Sequence, residues 1–525
     1  MPTRDPRDPN FVNPRWVAPP EAAAPRHRPL AVAYALAIVL PVFLLLLLAA
    51  PFGIVLAMRA GGSGTGQPQA GRSNQGADQP PAGEAGAGDP YFPDYGSTGY
   101  DALKYAISIS FDPRTATISG TTTITARASQ DLTSFYYDLV LKTNSVTIGG
   151  QPAEVEQESL QDVKITPATP IKAGAEFVAK IDYSGDPAKI KSPRGQPWSV
   201  TNQEWTAAGE PESAAWWFPS NDYPSDPALM DVSVTVPSGM EVISVGRLVS
   251  RDSDTNPETA TWHWLCENPM ATYLAFVSIG QYDIRESTVD GLQAVYAVSE
   301  QLDGDQRRQA FEAMEHSPEI LRTYEPWFGP YPFAEIGGVV PAHRFGFGGL
   351  ETQTRPVYGA ESILDRGFAT GLVAHELAHM WFGDHVTVRQ WNDIFDNEGY
   401  ASWGQWAYLD AHGGEKLNDH LERAYQATKD KPEFWKITMI DPGPDHLFDA
   451  VYTRGPMLLQ ALRNRIGDKA FFTLARNWAQ DAGSRSTEEW MITAQSVTNV
   501  DLAPFFAVWV MGDTVPAHTK ENGFP

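Results

Sequence analysis

The sequence predicts an α+β multidomain protein, with an all-β domain followed by a mainly helical one, behind an apolar span and a flexible linker. Three observations carry that expectation. Between about residues 100 and 302, short runs rich in Val, Ile, Thr and aromatic residues alternate with turn signals. After about Asp303 the apolar residues recur at helical spacing. Ahead of both, an uncharged run from Leu30 to Met58 gives way to a stretch of Gly, Ala, Pro, Gln and Ser.

Residues 1–29 carry five Arg against three acids among Pro and Ala, and read as a disordered cytoplasmic tail. A membrane-spanning helix needs ~20 apolar residues, and the run at 30–58 supplies them despite Pro41 and Pro51. The basic residues before it predict an amino terminus left in the cytoplasm and a remainder carried across. A cleaved leader is the alternative, which would leave the protein secreted. Residues 59–99 read as a tether, and about forty such residues reach roughly 35 Å.

With 525 residues, of which 42% are hydrophobic, the chain has apolar material for more than one core. A formal net charge of −25 sets aside a nucleic-acid partner, since like charges repel. Cys266 stands alone, so neither an intrachain disulfide nor a thiolate metal site can form.

Strands are expected at 105–111, 118–127, 135–141, 177–183, 231–236, 261–265 and 273–279, within a β domain spanning 100–302. Helices are expected near 305–323, 362–382, 397–412, 452–466, 468–481 and 486–497, within a domain spanning 303–525. Ser486 and Glu489 make a capping box, and Gly383, Gly413 and Gly467 stand where helices stop.

The strongest chemical signal is His375-Glu376-Leu377-Ala378-His379. Residues four apart share a helix face, so both imidazoles can reach one metal ion. Glu376 can then take a proton from a water activated there. A third ligand is needed, and Glu398, nineteen residues after His379, is the candidate. Three protein ligands with an open fourth position suit hydrolytic zinc, and two imidazoles with a carboxylate favour that metal without excluding other divalent ions.

Around this motif the sequence resembles the aminopeptidase N and leukotriene hydrolase family of zinc metallopeptidases. His375 through Asp384 is similar to the family's metal helix nearly residue for residue, and Trp391-Asn392-Asp393 and Asn397-Glu398-Gly399-Tyr400-Ala401 follow in register. Phe328-Gly329-Pro330-Tyr331-Pro332-Phe333 resembles its approach to the active site. Trp217-Phe218-Pro219 with Asp222 and Pro224 resembles a further segment, with Ser220 where cysteine is common. The likeness runs from about Tyr100 to the end. It implies a saddle-like β domain, a thermolysin-like catalytic domain and one Zn2+ per chain.

Gly348-Gly349-Leu350-Glu351-Thr352 corresponds to the family's Gly-Ala-Met-Glu-Asn signature, with Leu350 and Thr352 replacing Met and Asn. Glu351 thereby resembles the acid that pairs with a substrate's free amino group. A second amine contact falls on Glu210, with Glu212 as the alternative. Tyr452, in Val451-Tyr452-Thr453-Arg454-Gly455, resembles the tyrosine that donates to the oxyanion. Asp396 stands where the family usually has an apolar residue, and the large C-terminal helical domain of longer relatives is not expected. The resemblance implies an aminopeptidase acting on peptides with free amino termini. A zinc endopeptidase and an inactive zinc-bearing surface module stay as alternatives.

Overall fold

Period-two alternation builds the N-terminal domain. Strand Tyr100–Asp112 sends Tyr105, Ile107, Ile109 and Phe111 to one face, and Ala228–Pro237 does the same with Met230, Val232, Val234 and Val236. These two strands run parallel at the centre of the sheet; Thr117–Ala128 and Thr259–Met270 flank them antiparallel. The computed structural model describes residues 82–191, 196–252 and 257–525. Among the described residues the central sheet has eight strands, packed with sheets of four and three. The strand expected at 273–279 is shorter: a single tight turn over Thr272–Leu274 comes first, and the strand is Val277–Gly280.

The boundary expected at 302/303 moves. Strand Leu292–Ser299 pairs with Glu335–Val340 on one side and with Tyr282–Val289 on the other, so both belong to a five-stranded sheet of the second domain. At the far edge of that sheet lies Gly349–Leu350, antiparallel to Val357–Tyr358.

The helical half follows local rules with two departures. The helix expected over 305–323 is broken into Gly304–Met314 and Ser317–Phe328. Pro318 lacks an N–H, so it opens a new helix rather than continuing the old one. The helix expected from 362 begins at Ala369, after a turn that Asp365 closes by accepting from the Gly367 N–H. Helices Tyr400–Ala411, Val451–Ile466, Asp468–Ala479 and Thr487–Ser496 stand where expected, the last with its Ser486–Glu489 box formed.

The tail (1–29), the apolar span (30–58) and residues 59–81 of the linker lie outside the described residues. Residues 82–99 depart from the linker expectation: Phe92 and Tyr95 are buried, and Ala85 bridges Ser97. Among the described residues no helix is long and apolar enough to cross a membrane.

Candidate metal centre

Helix Ala369–Ala378 is apolar on nearly all sides, with Leu372, Val373, Ala374, Leu377 and Ala378 buried. His375 sits in its last turn and His379 caps its end. Glu398 lies in a wide five-residue turn, Phe395–Gly399, just before helix Tyr400–Ala411. Helix Val451–Ile466 brings Tyr452 alongside, because Gly455 packs on Gly399: a Cβ on Gly455 would lie 2.7 Å from the Gly399 Cα.

The three expected ligand atoms form a nearly equilateral triangle. The His375 and His379 Nε2 atoms are 3.1 Å apart, and Glu398 Oε2 lies 3.2 and 3.4 Å from them. A tetrahedral ion with bonds of ~2.0–2.1 Å has ligand–ligand edges of ~3.3 Å, so zinc fits this triangle without rearrangement. Glu398 Oε2 is buried and takes no hydrogen bond, while Oε1 accepts from the Tyr452 hydroxyl at 2.7 Å. His379 Nδ1 contacts Asn397 Oδ1 and lies 3.1 Å from the Phe382 carbonyl. Donation to either acceptor puts the ring proton on Nδ1 and leaves the Nε2 lone pair for the metal.

Electrostatics separate the acids by role. Burial, little offset by the nearby His379, pushes the Glu376 carboxyl well above its usual range. Burial also opposes a charged Glu398, but the imidazoles of His379 and His375 outweigh it and hold that carboxyl well below the usual range. Burial lowers His375, whereas for His379 the charges of Glu351 and Glu398 overcome burial and raise it.

The Peptidase M1 N-terminal domain matches residues 101–274, and the Peptidase family M1 domain matches residues 312–509. The chain belongs to peptidase family M1. It is 26% identical over 340 residues to Aminopeptidase N of Haemonchus contortus, covering 60% of this chain and 34% of the relative. With Aminopeptidase M1 of Arabidopsis thaliana it shares 24% over 346 residues, 60% of this chain and 36% of the relative. The match thus spans about a third of these curated relatives' length. The M1 zinc metallopeptidase of Deinococcus radiodurans superposes with a TM-score of 0.73 at 25% identity, over 82% of this chain and 98% of that one. A mutant of that enzyme bound to a Tyr-Ser-Ala substrate also gives 0.73.

In this M1 chain the other expected site residues gather at the same place. Glu351 is 2% exposed; its Oε1 accepts from the Tyr273 hydroxyl and from Asn397 Nδ2, both at 3.3 Å. Glu210 feels Glu351, Glu398, His379 and Glu376; burial first, then Glu351, pushes its carboxyl well above the usual range, and its Oε1 has no hydrogen-bond partner. Glu212, the alternative, is buried within the field of Asp138 instead. Gly349 lies against the catalytic-base candidate: a Cβ there would come within 2.2 Å of Glu376 Oε1. Gly348 is buried beside Ser362.

Three groups carry no role in the sequence reading. Asn397 links His379 to Glu351, and Tyr273 reaches Glu351 from 78 residues away. Asp384, 1% exposed with neither oxygen hydrogen-bonded, lies within the field of Glu351 and His379. The Asn next to Glu398 was a local signal for the first; nothing local points to Tyr273. Asp396, unexplained by the sequence, accepts from the Thr487 hydroxyl at 3.2 Å and ties the Glu398 turn to the next-to-last helix among the described residues.

Proposed function

We propose that this protein is a zinc-dependent aminopeptidase that releases amino-terminal residues from peptides. The observation that carries this reading is that the buried acids Glu351 and Glu210 act on each other beside the His375–His379–Glu398 triangle. Two acids held in one buried place favour a positive group, and a free amino terminus is the peptide group that supplies it. The aminopeptidase names of the relatives support the same reading.

Zinc held by His375, His379 and Glu398 would polarise the scissile carbonyl and acidify water. Glu376, with a carboxyl raised by burial, takes the attacking water's proton and hands it to the leaving amine. The Tyr452 hydroxyl, now donating to Glu398 Oε1, turns to the carbonyl oxygen as charge develops there. Glu351 and Glu210 hold the substrate's ammonium and so fix which peptide bond lies in reach. Gly348 and Gly349 leave the floor beside Glu376 free of side chains. The presence of both Glu376 and Tyr452 in the site disfavours an inactive binding module.

Glu351→Gln tests the amine contact. It is expected to raise KM for free amino-acid amides by about tenfold or more while zinc content stays at one per chain. An unchanged KM would remove Glu351 from the amine site.

We also read residues 30–58 as a single-pass anchor in the cell membrane, with the catalytic domain outside the cytoplasm. Its length, its lack of charge and its basic leader support this. The full chain is expected to stay with membranes after a high-pH carbonate wash. A shortened, freely soluble chain would instead favour cleavage.

A further inference from the structure

We propose that residues 82–99 form a positioning strap, in which Asp89 and Tyr91 hold the two loops that deliver Glu398 and Tyr452. The segment lies ahead of both family matches, the first of which begins at residue 101. Its composition reads as linker, yet its side chains make specific contacts with both domains.

Asp89 is 2% exposed and fully engaged. Its Oδ1 accepts from the backbone N–H groups of Tyr91 and Phe92 at 2.7 and 2.9 Å, which folds the strap on itself. Its Oδ2 accepts from the Tyr223 hydroxyl of the β domain at 2.7 Å and from the Trp391 N–H of the catalytic domain at 2.9 Å. Trp391 opens the turn Trp391–Asp393, and that turn runs directly into Phe395–Gly399 with Glu398.

Tyr91 holds the second loop. Its hydroxyl donates to Asp441 Oδ1 and accepts from the Gly443 N–H at 2.9 Å. The loop from Thr438 leads into helix Val451–Ile466 and Tyr452. Asn392 closes the ring by donating to the Ile440 carbonyl at 3.3 Å, so strap, ligand turn and tyrosine loop bond one another in a circle.

A third line reaches the amine site through rings. Phe92 meets Trp391 edge-on at 6.2 Å, Trp391 meets Tyr273 at 5.3 Å, and the Tyr273 hydroxyl donates to Glu351. One short segment thus supports the third ligand, the oxyanion tyrosine and the amine acid without touching substrate. Asp89 and Tyr91 are positioning residues. Small misplacements of such groups are costly, since a shift of ~1 Å can cost ~100-fold in rate.

The test uses the full, zinc-loaded chain, with Tyr91→Phe, Asp441→Ala, their double variant and Asp89→Asn. The kinetic arm rests on the aminopeptidase reading; the zinc arm does not. Tyr91→Phe keeps the ring and loses only the hydroxyl, and is expected to lower kcat by about five- to tenfold with KM within about twofold. Asp441→Ala should also lower kcat, and the double variant should be no worse than Tyr91→Phe alone, because losing the hydroxyl already removes the Asp441 contact along with the Gly443 one. Asp89→Asn is expected to speed zinc loss to a chelator by about fivefold or more, in the range that outer contacts of metal sites show. A wild-type kcat in Tyr91→Phe, or losses that multiply in the double variant, would overturn the loop role. Zinc release from Asp89→Asn at the wild-type rate would overturn the ligand-turn role. A wild-type chain without peptidase activity that still releases zinc faster as Asp89→Asn would sink the aminopeptidase reading and leave the strap standing.

Discussion

Asn397 stands at the junction of the two halves of the site. Its Oδ1 contacts His379 Nδ1, and its Nδ2 donates to Glu351 at 3.3 Å, so one amide fixes both the His379 ring and the Glu351 carboxylate. Removing the partner of a metal-bound imidazole typically costs 10–100-fold in metal affinity. Asn397→Ala is therefore expected to weaken zinc binding by about that factor, read by competition with a chelator. Affinity within about twofold of wild type would show that the Phe382 carbonyl alone orients the ring. The ligands themselves were legible in the sequence because their geometry is local: His375 and His379 lie one helical turn apart, and Glu398 follows at a short distance. Glu351, Glu210 and Tyr452 came from resemblance, and the fold brings all three to that centre. Tyr273 was not legible, because its contact with Glu351 depends on how two distant segments cross rather than on any spacing.

Elements carry their own electrostatics. Asp393, 2% exposed, accepts from the Gln390 and Thr487 N–H groups and joins the ligand turn to the start of helix Thr487–Ser496. Burial lifts its carboxyl from the ordinary 3.8 to about 6. Between those values the folded chain keeps a proton that the unfolded chain has released. Stability from this group is therefore lost as pH rises from about 4 to about 6, at up to ~1.4 kcal/mol per pH unit, and the loss is complete above that window. Asp393→Asn is expected to flatten this slope in urea unfolding across the same window, whatever its effect on absolute stability. An unchanged slope would contradict the assignment. Element ends were readable where one residue decides them, as with the Ser486 cap. Helix Leu417–Thr428 was missed because His420 and Thr428 occupy its buried face beside Leu417, Leu421, Ala424 and Tyr425, which blurs the apolar period.

At the scale of the molecule, a strand pattern tells that a segment is extended but not which sheet takes it. Tyr282–Val289 and Leu292–Ser299 look like the β domain's strands, yet they pair toward Glu335–Val340 and found the catalytic sheet. Composition misled in the same way over 82–99, where Gly, Pro and Asp sit between aromatic residues that find buried places against both domains. The two domains meet around the site: the β domain supplies Glu210 and Tyr273, and the helical domain supplies the ligands, Glu376 and Tyr452. The most direct test is hydrolysis of a panel of amino-acid amides, each free and N-acetylated, by the full chain before chelation, after it, and after zinc is restored. Cleavage of the free amides alone, lost on chelation and recovered with zinc, is the expected result. Equal cleavage of the acetylated amides, or activity that survives chelation, would contradict the zinc aminopeptidase account.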